Sequence, residues 1–157
     1  MRDKKFIKSI LLIISLFLIT NCSNNSSMKP EDFKDKKPRL IIEEYLSGEV
    51  KAWGILQNRS GKVTRQFSAT LNGKWDGTQL ILDEIFNWDD GEVQNRQWKI
   101  NKIDEHNYEG TAGDVVGKAK GFSYGPAFKF EYVLLVPVKG KNIKITFDDW
   151  IFKQDDR

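Results

Sequence analysis

The sequence predicts an all-β domain: an antiparallel up-and-down meander of about eight strands closing into a barrel. Three observations carry that expectation. From Glu49 onward, apolar and polar residues alternate with period two, segment after segment. Clusters such as Asn58–Gly61, Asp89–Gly91 and Lys139–Asn142 punctuate the segments and leave connections suited to neighbouring antiparallel strands. No helical periodicity of useful length interrupts them. Closure removes the exposed edges of such a meander best; a two-sheet sandwich is the lesser alternative.

Residues 1–21 read as a targeting segment. Arg2, Lys4, Lys5 and Lys8 precede an apolar run, Ile10–Ile19, of about ten residues, the length of a secretory h-region and well short of a membrane span. Leu18-Ile-Thr-Asn-Cys22 resembles a bacterial lipobox, with Asn21 where Gly, Ala or Ser is usual. The competing reading is an ordinary signal peptide with a chance cysteine. Cys22 is the single cysteine of the chain and has no disulfide partner, which acylation with palmitate-type chains would explain. Ser23 in place of Asp implies, by resemblance to sorting rules, an outer-membrane anchor facing the periplasm.

Residues 1–21 hold four of the 25 basic and one of the 22 acidic residues, which leaves 21 of each and a neutral mature chain. A nucleic-acid partner thereby loses its electrostatic support. Residues 22–37 form the lipidated cysteine and a polar, flexible tether. Residues 38–157 form the β domain, one unit with one core. Pro38 opens an apolar patch ending at Gly48, read as a short helix closing one end of the fold or else as a first strand.

Val50–Gln57 and Lys62–Leu71 are the first strands, with Asn72-Gly73 and Asp76-Gly77 bending the chain around Trp75. Leu80–Ile100 is a hairpin. Asp89-Asp90-Gly91 suits a three-residue loop with glycine at the left-handed position. That register sets Leu80 opposite Ile100, Leu82 opposite Trp98 and Glu84 opposite Arg96. Asp104–Asn107 is a turn, and Tyr108–Tyr124 is either two strands or one strongly bent strand. Ala127–Val138 and Ile143–Lys153 complete the meander.

Alternation places charges on otherwise apolar inner faces: Arg65, Glu84, Arg96 and Asp149. Buried charges are costly alone, so these four are expected to pair with one another. Either they fix strand register, or they form a polar floor that grips the head group of an amphipathic ligand. Gly113, Val115, Gly117, Ala119, Gly121, Ser123 and Gly125 form a second unusual feature, a face of small residues. Either tryptophans from neighbouring strands fill that face, or it borders a cavity whose wall would include Trp98, Phe86, Gly117, Ala119, Gly121 and Tyr132.

Catalytic signals are nearly absent. His106 is the sole histidine and lies in a polar turn, which excludes Ser-His, Cys-His and multi-histidine metal sites. No cofactor or metal is implied. Glu84 and Asp149 could act as two carboxylates in a cleft, but arginines beside them should keep both ionised, which disfavours an enzyme.

The ordered set Trp53-Gly54, Gly73-Lys-Trp75-Asp-Gly77, Leu82-Asp-Glu84-Ile-Phe86, Asp90-Gly91-Glu92 with Arg96 and Trp98, Asp114–Gly121 and Phe147-Asp-Asp149-Trp150 resembles the DUF3833 family of uncharacterised bacterial lipoproteins. The resemblance spans Glu43 to Phe152. It implies a lipid-anchored, lipocalin-like β-barrel of unassigned molecular function, encoded near fatty-acid-modifying enzymes. Two departures stand out: Pro126 occupies a position expected to be polar, and the family pattern runs on for a strand-sized segment past Asp149-Trp150. The second departure implies a C-terminally short chain. Two functions follow as expectations: an envelope protein binding an apolar or amphipathic molecule such as a fatty acid, or a scaffold lipoprotein with a fully packed barrel.

Overall fold

The computed structural model describes residues 27–155 apart from Lys139. Residues 1–21, read above as a targeting segment, and Cys22 lie outside the described residues.

Eight antiparallel strands follow one another in space as in sequence: β1 (Gly48–Gln57), β2 (Val63–Trp75), β3 (Gln79–Trp88), β4 (Val93–Lys102), β5 (Asn107–Thr111), β6 (Ala119–Tyr124), β7 (Ala127–Val138) and β8 (Lys141–Phe152). The sheet curls strongly into a half-barrel. Among the described residues, its ladders run from β1 to β8 and none joins β8 back to β1.

The expected hairpin register is present, with Leu80 paired to Ile100, Leu82 to Trp98 and Glu84 to Arg96. Trp88 and Glu92 close the three-residue loop, and Gly91 has φ +87°. The glycine-rich stretch resolves into two strands, β5 and β6. The loop between them, residues 112–118, leaves the ladder of β4 and bonds to β7 instead, through Val116 to Val133 and Leu135 to Asp114.

Two local expectations change. Asn72-Gly73 makes no bend, because β2 runs unbroken through both residues to Trp75. A Cβ at Gly73 would fall 1.8 Å from the Leu46 carbonyl oxygen, so glycine is there to admit a crossing backbone. The end of the expected flexible tether is folded as well. Pro30–Phe33 form one 3-10 turn, and Phe33 packs edge-on against Trp150 and Phe152 with ring centroids 6.1 and 5.2 Å away. An aromatic residue with an apolar surface to cover is the physical reason.

The core lies toward one end. The single helical turn α1 (Ile42–Tyr45) caps it, burying Leu40, Ile42 and Leu46 against Leu80, Ile100, Tyr108 and Phe128. Burial of this order is the main favourable term of the fold. At the opposite end the concave face stays open. Leu56, Val63, Ile143 and Ile145 there are all more than a third exposed.

Candidate functional site

The concave face has three zones, set by strand alternation. Nearest α1 is the packed core. Nearest the open end, Phe67 packs edge-on against Phe86 and Trp88, at 5.3 and 5.2 Å between ring centroids. Between them lies a polar belt.

Glu84 is the buried member of that belt. Its Oε2 lacks any hydrogen bond, and the nearest cation, Arg96 Nη1, stands 3.7 Å away, beyond hydrogen-bonding reach. Arg96 faces Asp114 instead, donating from Nε at 3.1 Å and from Nη2 at 2.8 Å to Oδ2. Burial lifts the Glu84 carboxyl to about 7. Arg96 and a hydrogen bond from Trp98 oppose that rise, while the negative charges of Asp114 and Asp149 reinforce it. The expectation that flanking arginines keep Glu84 ionised is therefore corrected: its arginine is engaged elsewhere.

Asp149 lies exposed on the concave face of β8 and accepts a hydrogen bond from the Tyr132 hydroxyl. Burial and that hydrogen bond both push the Tyr132 phenol upward. Tyr132 is itself wedged between Trp98 and Phe147, with both ring centroids at 5.2 Å.

The expected four-membered ion network thus divides. Glu84, Arg96 and Asp149 share the belt, joined by Asp114, which strict alternation with Gly113 and Val115 would turn away from the face of small residues. Arg65 leaves it for the hairpin tip. There its Nη2 donates to Asp90 and Glu92, both at 2.8 Å, and its guanidinium stacks 4.0 Å from the Trp88 ring.

The expected cavity wall also divides. Trp98 and Tyr132 border the belt, and Phe86 belongs to the open-end aromatic cluster. Gly117 lies exposed in the loop with φ +74°. Ala119 is fully buried and Gly121 faces packing rather than space: a Cβ at Gly121 would meet Phe128 Cζ and Tyr108 Cβ, each at 2.9 Å. Of the glycines on that face, Gly121 alone meets a phenylalanine ring, Gly113 and Gly117 have open space above them, and Gly125 abuts the Phe33 carbonyl; Trp98 approaches only Gly110, beside the Phe130 ring.

A groove of about 610 Å3 opens where β4 outruns β5, whose ladder covers only Lys99–Lys102. Arg96 and Asp114 line it, together with Gln94, Gln97, Thr111 and Gly113.

A second buried acid carries no signal in the strand pattern. Glu43 of α1 accepts from Lys102 Nζ and, at 2.9 Å, from the Tyr108 hydroxyl. Burial raises its pKa, but these partners more than offset that and bring it below the ordinary carboxylate range. It fastens α1 to the sheet. No metal-binding cluster occurs among the described residues, and no helix among them is long and apolar enough to cross a membrane.

No curated protein and no solved structure matches the chain. A family model described as "protein of unknown function (DUF3833)" matches residues 16–157, nearly the whole length, and the chain belongs to the DUF3833 family.

Proposed function

We propose that this is a lipid-anchored envelope protein whose curled sheet holds an apolar or amphipathic small molecule in its concave face. The observation that carries the reading is the order of surfaces along that face. Exposed aliphatic side chains at the open end, Leu56, Val63, Ile143 and Ile145, lead past Phe67, Phe86 and Trp88 to the polar belt of Glu84, Arg96, Asp114 and Asp149. Apolar walls with a few convergent polar groups are the usual composition of a small-molecule site. Acylation of Cys22 is the proposed anchor, with the outer membrane, facing the periplasm, as the proposed location.

The second reading, a scaffold lipoprotein, draws on the convex side of β1, where Trp53 is 73% exposed and Ile55 52%. Native mass spectrometry of the chain purified from cells separates the two. A co-purifying lipid-sized mass is expected; a clean apo mass would favour the scaffold. For the anchor, a palmitate analogue should label the wild type and not Cys22→Ala.

A further inference from the structure

The charges of the belt specify more than an amphiphile. Its carboxylates are Glu84, Asp114 and Asp149; its single cation is Arg96, which is held by Asp114. Farther out on the same face, Arg65 is outnumbered by Asp90 and Glu92. The concave face is thus acidic, although residues 22–157 as a whole carry as many basic as acidic side chains. A ligand carboxylate entering it would meet like charge and find its natural partner, Arg96, already engaged.

One further observation points the same way. Glu84 is only 9% exposed, and its Oε2 is an acceptor with no donor. Buried acceptors left in this state are uncommon and costly, and what this one lacks is an N–H or O–H. Asp149, exposed on the concave face, is the carboxylate an incoming group would meet first.

Resting on the amphiphile-binding reading above, we propose that the bound head group is a cation, an alkylammonium-type group held by Asp149 and Glu84, with its alkyl chain along Phe67, Phe86 and the exposed isoleucines of β8. An ammonium supplies both the positive charge the belt lacks and the donors its orphan oxygen lacks. A fatty acid, the ligand expected from family resemblance, supplies neither.

The test is calorimetric titration of the purified full chain at pH 8 with dodecylammonium and dodecanoate, each below its micellar concentration, and with dodecanol below its solubility limit. Dodecylammonium should bind at least tenfold tighter than dodecanoate, with dodecanol between them. Asp149→Asn, on an exposed position, should shrink that preference at least threefold, and Glu84→Gln should act in the same direction. Equal or tighter binding of dodecanoate would overturn the cationic head group while leaving amphiphile binding intact. An undiminished ammonium preference in both variants would remove the belt as its cause. Binding of none of the three would overturn the amphiphile reading itself, and this inference with it.

Discussion

Arg96 turns its Nε and Nη2 onto Asp114, at 3.1 and 2.8 Å, and leaves its Nη1 3.7 Å from Glu84. Facing positions on paired strands do not make the strongest pair here; a loop residue eighteen positions along the chain does. Arg96→Met should therefore strip a partner from two carboxylates and cost about 3–5 kcal/mol at pH 8. Adding Glu84→Leu should recover only part of that, because Asp114 stays unpaired. In urea-unfolding mutant cycles, coupling of Arg96 to Asp114 should exceed coupling to Glu84, at about 1–3 kcal/mol. The reverse order would contradict this geometry.

Glu84 makes stability depend on pH in a defined direction. Its carboxyl titrates near 7 in the folded chain against an ordinary 4.5. Between those values the folded state keeps a proton that the unfolded state releases, so stability falls as pH rises through the window and levels off above it. The drop is on the order of 3 kcal/mol. Glu84→Gln should flatten the profile of unfolding free energy between pH 4.5 and 7; a slope unchanged by that substitution would assign the effect to another group.

Glu43 acts with the opposite sign. Its carboxyl is held below the ordinary range, so its contribution is present above that range and fades as acid protonates it. Lys102→Met should leave Glu43 buried without its cation and cost about 3 kcal/mol, with α1 the first element to lose amide-exchange protection. The double change Glu43→Leu with Lys102→Met should restore most of the loss. Exchange that begins elsewhere would show that α1 is fastened by other contacts.

The glycines rank by what stands over them. Among Gly73, Gly110 and Gly121, Gly73→Ala should be the most disruptive, since the Leu46 carbonyl at 1.8 Å is backbone and cannot swing away. At Gly110 the obstacle is chiefly the Phe130 ring, which can tilt, at a cost of about 1–3 kcal/mol, and Gly121 falls between the two because the Tyr108 Cβ stands beside the Phe128 ring at 2.9 Å. Thermal melts of the three variants give the order directly.

The Leu80–Ile100 hairpin was legible because alternation and turn chemistry agree there, and only one register puts Trp98 beside Leu82. The belt was legible in part. Glu84, Arg96 and Asp149 follow from period two, but Asp114 does not, since residues 112–118 are not a strand and parity means nothing in a loop. Glu43 gave no signal, because a one-turn helix has no periodicity to read. Arg65 lies on the inner face as expected, but near the strand end, where two hairpin acids are closer than any belt residue. The shift of Glu84 toward neutral pH comes first from burial, which alternation implies; that Arg96 turns to Asp114 and offsets it only in part is a side-chain choice that strand pattern does not encode.

A sealed barrel has a bore fixed by its number of strands and their stagger. Here β1 and β8 carry no ladder between them among the described residues, so no ring of hydrogen bonds sets the circumference. The sheet can coil tighter or looser by small changes of twist spread over seven ladders, without breaking any of them. The width of the concave face is thus an adjustable dimension, set by twist and not by a closed ring of strands.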